Sequence, residues 1–294
     1  MTRQDNCTRK PPPRQTPRIT HEVDFVKLSP TSNMTVLVTS QHHPADYPSI
    51  ANQLLSECHV HAEQVGFVRP PTTPQAHTRL HMAGNEFCGN ACMALAALTA
   101  AENGLDNGHR TEIVLETSGS TTSVPCDVER LGADYTCRLT VPDPIGVENY
   151  TFPGRTHLRS ALVRYPDAVH LVVECSQPDQ TMRKHAEDAA AQLAADENAA
   201  VIAVLLYDPD RAELTPLVSV PALGSLIWEG SCGSGTASVG AYLSAQHHRS
   251  IHLGLRLPGG PMQVHVDHRT HGTHHLQIDG HVRIVAEGKA YIHG

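Results

Sequence analysis

Two short stretches constrain this 294-residue chain more than anything else in it. The first is His81-Met82-Ala83-Gly84-Asn85-Glu86-Phe87-Cys88-Gly89-Asn90-Ala91-Cys92. The second is Trp228-Glu229-Gly230-Ser231-Cys232-Gly233-Ser234-Gly235-Thr236-Ala237. Each reads as a strand end, a tight turn with a cysteine at its corner, and small residues opening a helix. The two cysteines stand 144 residues apart, about half the chain. One Cys-Gly alone would mark a small buried hydrophobe. Its recurrence in the same setting points to two matching half-domains, each presenting one thiol to a shared site.

The chemistry follows from the helix-start position. A cysteine there faces the positive end of the macrodipole and backbone N–H groups that lack intrahelical partners. Such a setting lowers a thiol pKa from about 8.5 toward or below neutrality. Two of these groups on opposite sides of a small substrate make a thiolate base and a thiol acid. One removes a proton from a tetrahedral carbon, and the other returns a proton to the opposite face. This stereoinversion needs neither metal nor pyridoxal phosphate, so no cofactor is expected. The glycines let backbone N–H groups approach an anion, and a carboxylate is expected at the two helix starts.

Charge and composition narrow the partners. The net charge of −8 and the lack of a basic stripe exclude nucleic acid and an anionic membrane surface as expected partners. The apolar run at residues 199–206 is far short of the roughly 20 needed to span a bilayer. Aromatic residues make up only 4% of the chain, so small aliphatic side chains must fill the interior. Residues 1–18 are polar, basic and Pro-rich without the apolar stretch of a signal peptide, and a disordered tail is expected over 1–20. Eight scattered cysteines do not form a disulfide framework, which fits a reducing, cytoplasmic setting. The 21 histidines cluster at His42-His43, at His247-His248 and within 268–275, with no metal-ligand spacing, and read as a solvated face. Cys92, one helical turn after Cys88, reads as core packing.

The periodicity predicts an α+β chain divided near Pro142-Asp143-Pro144-Ile145-Gly146. The first domain covers 21–145, with a last strand at about 287–294 returning to it, and the second covers 146–286. Strands are expected at 23–28, 34–39, 60–68, 79–82, 112–115, 121–125 and 135–141. In the second half they are expected at 169–173, 200–207, 214–220, 225–228, 251–257, 262–266, 276–278 and 281–286. Helices are expected at 47–58, 90–102, 180–195 and 236–246. By local sequence alone, Asn33 is a turn residue and Glu63 a solvated strand residue.

The paired Cys88-Gly89-Asn90 and Cys232-Gly233-Ser234 resemble the diaminopimelate epimerase and proline racemase superfamily of cofactor-independent, two-cysteine enzymes. Several stretches are similar to one branch, the histidine racemases that supply D-histidine for staphylopine-type opine metallophores. They are Ser32-Asn33-Met34-Thr35, Ser49-Ile50-Ala51-Asn52-Gln53-Leu54, Glu63-Gln64-Val65-Gly66-Phe67, Ser225-Leu226-Ile227-Trp228-Glu229, Pro258-Gly259-Gly260 and Gly288-Lys289-Ala290-Tyr291-Ile292. The resemblance implies a diaminopimelate epimerase-like fold: two similar domains, each a curved β-sheet wrapped around a central helix, with the site between them. It implies that Cys88 and Cys232 are the acid/base pair and that Gly89, Asn90, Gly233 and Ser234 hold the substrate carboxylate. Asn33 matches a substrate-contacting turn residue, and Glu229 matches the position of a Glu that meets the substrate ammonium. The epimerases' Glu-Arg pair is missing, which argues against a second, distal carboxylate. Glu63 is then the candidate acceptor for an imidazole N–H. The implied substrate is free histidine, the expected assembly a homodimer, and the expected functional link is to metallophore biosynthesis enzymes. Another amino acid of the superfamily (diaminopimelate, proline or hydroxyproline) is the alternative, and a non-enzymatic metal or histidine binder ranks last.

Overall fold

The computed structural model describes residues 19–268 and 275–294. The tail expected over 1–20 lies outside them except for Ile19 and Thr20, which open the first strand. The histidine-rich segment 268–275 lies outside them except for its two end residues.

In the first half, β1 (Ile19–Pro30) turns back as β2 (Thr35–Val38). Helix α1 (Tyr47–Leu55) crosses to β3 (Gln64–Arg69), which lies parallel to β2. Strand β4 (Thr78–Met82) leads through α2 (Gly89–Glu102) to a parallel β5 (Arg110–Thr117), and β6 (Val124–Leu131) and β7 (Asp134–Thr140) complete a meander. The second half runs β8 (Gly146–Asn149), β9 (Ser160–Arg164), β10 (Ala168–Glu174), α3 (Gln180–Asp196) and β11 (Val201–Asp208). It continues with β12 (Glu213–Val220), β13 (Ser225–Trp228), α4 (Gly233–His247), β14 (Ile251–Leu257), β15 (Gly260–Asp267) and β16 (His275–His293). The unit of strand, helix and parallel strand thus occurs twice per half: β2-α1-β3 and β4-α2-β5, then β10-α3-β11 and β12-α4-β14.

Strand β16 joins the halves. It pairs with β15 at its start, with β7 in its middle and with β1 over the rest. Because β1 also pairs with β2, the order β1 to β7 and then β16 closes into a ring, and α2 runs inside it. Helix α2 is buried from Gly89 to Leu98 without a break, which a helix apolar on all sides requires. Its alanines keep it thin enough for strands to pack around it. Helix α4 occupies the matching place in the second half. There a Cβ on Gly240 would lie 2.5 Å from Val264 Cγ2, so the sheet packs directly on the helix backbone.

Several expected boundaries move. The strands expected at 276–278 and 281–286 are one continuous strand with the closing segment. Asp279-Gly280 looks like a turn in sequence, yet a Cβ at Gly280 would meet the Met93 side chain and Thr31 Oγ1, each at 3.1 Å. Glycine in this strand marks the close approach of α2. The strand expected at 121–125 starts only at Val124, because Ser120 and Thr122 form a local side-chain turn that competes with the ladder. The strand expected at 60–68 starts at Gln64, so Glu63 precedes it. The short β8 and β9 were not expected.

Candidate active site

The two Cys-Gly stretches adopt the same geometry. Cys88 is the N-cap of α2, with φ −130° and ψ 108°, and its Sγ accepts the Ala91 N–H at 3.3 Å. Cys232 is the N-cap of α4, with φ −141° and ψ 108°, and its Sγ accepts the Gly235 N–H at 3.4 Å. The sulfur thus takes the capping place usually filled by a Ser or Asp oxygen. Both are free thiols.

The two helix starts abut. A Cβ on Gly89 would lie 3.5 Å from Gly233 Cα, and one on Gly233 would lie 3.4 Å from Asn90 N. Two positive helix ends therefore meet at one point, where first-turn N–H groups of Gly89, Asn90, Gly233 and Ser234 have no intrahelical acceptor. This is a seat for a small anion such as a carboxylate. Asn90 also donates from Nδ2 to Ser231 O at 2.9 Å, tying the start of α2 to the strand end that carries Cys232.

Cys88, Cys232, Gly89, Asn90, Gly233 and Ser234 all line one cleft, together with Glu63, Gln64, Glu86 and Glu229. Leu55, Val218, Val220, Leu223 and Ile227 form its apolar side. A chain of side chains crosses it. The Cys88 thiol donates to Gln64 Oε1 at 2.6 Å, and Gln64 Nε2 donates to Glu229 Oε1 at 2.9 Å. The Glu229 carboxylate in turn lies against the Cys232 thiol.

Asn33 and Glu63 are placed differently from the remaining expected residues. Asn33 is fully buried, and its Nδ2 donates to Ser231 O at 3.1 Å and to Glu63 Oε2 at 3.3 Å. Glu63 reaches the cleft, but its oxygens already accept the N–H groups of Met34 and Gly230, both at 3.2 Å. This pair fastens the turn after β1 to residues 230 and 231, just ahead of Cys232. Among the described residues, the buried carboxylate oxygens of this cleft without a hydrogen-bond partner are Oε2 of Glu229 and Oε2 of Glu86.

Burial dominates the electrostatics. It pushes the Cys88 thiol well above its ordinary range; the Ala91 N–H works against this, and the Glu229 and Glu86 carboxylates add to it. Burial also pushes the Cys232 thiol well up, with Glu229 the next contributor. The helix starts were expected to lower both values. The shift is opposite in sign, because desolvation, with Glu229 adding to it at both thiols, outweighs the hydrogen bonds from the helix-start N–H groups. The same burial raises Glu229 to about 7 against the hydrogen bond from Gln64. It raises Glu86 to about 7 against its own N–H and that of Gly84. A substrate ammonium entering here would offset the carboxylate charge and favour a thiolate.

Sequence reasoning missed Gln64 and Glu86 as members of the cleft. The signals were close at hand: Gln64 follows Glu63 in a stretch already singled out, and Glu86 lies two residues before Cys88 inside the motif.

The fold is of the proline racemase and epimerase type. The structure matches that of a hydroxyproline epimerase from Agrobacterium vitis with a TM-score of 0.66, covering 94% of each chain at 11% identity. The sequence goes further. Residues 22–291 match the family described as "Histidine racemase CntK N-terminal domain". A histidine racemase of Staphylococcus aureus (strain Mu50 / ATCC 700699) is 33% identical over 277 residues, 92% of this chain and 98% of the relative. One from Fusobacterium nucleatum subsp. nucleatum (strain ATCC 23726 / VPI 4351) is 28% identical over 273 residues, 92% and 97% of the two chains. The chain belongs to the histidine racemase family.

Proposed function

We propose that this protein is an isomerase that interconverts L-histidine and D-histidine with two thiols and no cofactor. The observation that carries this reading is the convergence of two cysteine-capped helix starts on one cleft. The substrate carboxylate sits on the N–H groups of Gly89, Asn90, Gly233 and Ser234, and the ammonium faces Glu229. The α-carbon then lies between Cys88 and Cys232. One cysteine, as thiolate, takes the α-proton, and the electron pair left on carbon delocalises into the carboxylate. The N–H groups of both helix starts stabilise the added negative charge. The other cysteine, as thiol, gives its proton to the opposite face and becomes the thiolate. The reverse reaction exchanges the two roles.

Asn33 and Glu63 serve this chemistry by setting the position of residues 230 and 231. The resemblance to the metallophore branch supports a cytoplasmic homodimer whose D-histidine feeds opine-type metallophore assembly. Among the described residues no helix is long and apolar enough to cross a membrane.

The test is incubation of L-histidine with the protein in deuterated water, followed by chiral chromatography and mass spectrometry. D-Histidine carrying one α-deuterium is the expected product. Retention of the α-proton and of configuration overturns the reading.

A further inference from the structure

The cleft contains one buried carboxylate that the reaction as described does not use. We infer that Glu86 reads the substrate side chain, its free Oε2 accepting an imidazole N–H. This inference rests on the histidine reading above and adds to it the residue that selects the ring.

The first observation is an unmet hydrogen bond. Glu86 is only 6% exposed, and its Oε2 has no partner among the described residues. A buried carboxylate oxygen in that state is costly, and a protein retains one where a ligand supplies the donor. The second observation is the rigidity of its mount. Ser118 Oγ donates to Glu86 O at 2.8 Å, and the Asp167 carboxylate receives the Phe87 N–H. Gly119 packs so tightly beneath that a Cβ there would lie 2.1 Å from Phe87 N and 2.8 Å from Glu86 C. The backbone on either side of the Glu86 carbonyl is therefore fixed, and it sets where the side chain starts.

The third observation is the surroundings. A Cβ on Gly84 would fall 2.6 Å from Glu86 Oε2 and 2.4 Å from Val220 Cγ1, so the free oxygen lies on the side of the cleft that Val220 lines. Val218 and Leu223 continue that apolar side. An apolar wall with one acceptor at its edge suits a flat ring that carries an N–H. The fourth is the use of the other polar groups. In the proposed reaction the helix starts hold the carboxylate; Glu229 lies at Cys232 and is held by Gln64, and Glu63 is occupied by Met34 and Gly230. Of the histidine functional groups only the imidazole is then unassigned, and of the cleft carboxylates only Glu86.

The experiment compares wild type, Glu86→Met and Glu86→Gln on L-histidine and on its two ring-N-methylated isomers, following α-deuterium incorporation. Methionine keeps the length of the side chain and removes the acceptor. For Glu86→Met the expected result is a KM for histidine raised at least tenfold with a smaller change in kcat. Wild type should reject one N-methyl isomer at least tenfold in kcat/KM, and Glu86→Met should lose that discrimination. If Glu86→Met does not fold, as judged by thermal melting, Glu86→Gln decides the matter. Its weaker, neutral acceptor should raise KM more than threefold and weaken the same discrimination. A KM within twofold of wild type, or discrimination unchanged in the variant that folds, overturns the assignment. Failure of wild type to exchange the α-proton of histidine would instead remove the histidine reading itself.

Discussion

The side-chain amide of Gln64 joins the two halves of the site: its Nε2 donates to Glu229 Oε1 at 2.9 Å, while its Oε1 receives the Cys88 thiol. One neutral residue thus holds a group from each half, and no charge is added between two raised carboxylates and two buried thiols. An amide is suited to this place because it is both donor and acceptor.

Replacing Gln64 by Leu should therefore lower kcat/KM by about 5- to 150-fold, the effect of leaving a buried partner unpaired by roughly 1–3 kcal/mol. Gln64→Glu should lower it further, since a like charge would then face Glu229. Steady-state kinetics on the two variants test this, and a Glu variant more active than the Leu variant would show that the amide's neutrality is irrelevant.

Cys88→Ser and Cys232→Ser should each cut racemisation by at least about 10²-fold, the lower end for loss of a general acid–base group. Each thiol serves one face of the same carbon, so neither replaces the other. A hydroxyl can cap the helix as sulfur does, and far-ultraviolet circular dichroism should be unchanged. Retention of more than about a tenth of wild-type turnover by either variant contradicts the two-thiol mechanism.

The cysteine-capped starts of α2 and α4 were legible in sequence because capping is local: Cys-Gly and the small residues after it suffice. Gln64, Glu86 and the occupied state of Glu63 were not. Their roles come from contacts across the chain, such as Glu63 with Gly230, 167 residues away. The upward direction of the thiol shifts is not legible for the same reason. A helix start is visible in sequence, whereas the burial that outweighs it is a property of the assembled halves. Strand β16 escaped recognition as one element because Gly280 carries the mark of a turn and serves as the place where the Met93 side chain meets the sheet.

The raised thiols give a pH prediction with a definite sign. Burial favours the neutral form, so in the free enzyme both thiolates are scarce at neutral pH and grow about tenfold per pH unit as it rises. Alkylation of Cys88 and Cys232 by iodoacetamide, followed by peptide mass spectrometry, should be slower at pH 7 than for the exposed Cys58. It should still be rising above pH 9. Rapid labelling of either cleft thiol at pH 6 would mean that the helix starts prevail over burial after all.

Glu229 makes the last prediction, on stability. Its carboxyl rises from the ordinary 4.5 to about 7 in the folded protein. A raised folded pKa means that the native state binds the proton more tightly than the unfolded chain. This site therefore costs nothing below about pH 4.5, destabilises progressively as pH rises from there to about 7, and has its full effect above. At 1.36 kcal/mol per pH unit, that effect is on the order of 3 kcal/mol. Glu229→Gln removes the charge and should melt several degrees above wild type at pH 8, with the difference vanishing near pH 4. Saturating histidine should narrow the gap at pH 8, because its ammonium offsets the buried carboxylate in wild type alone. Differential scanning fluorimetry across this range, with and without histidine, reads all three effects. A wild type more stable than Glu229→Gln at pH 8 without ligand would mean that the carboxylate is already compensated in the empty cleft, leaving no unmet charge for a substrate ammonium to satisfy.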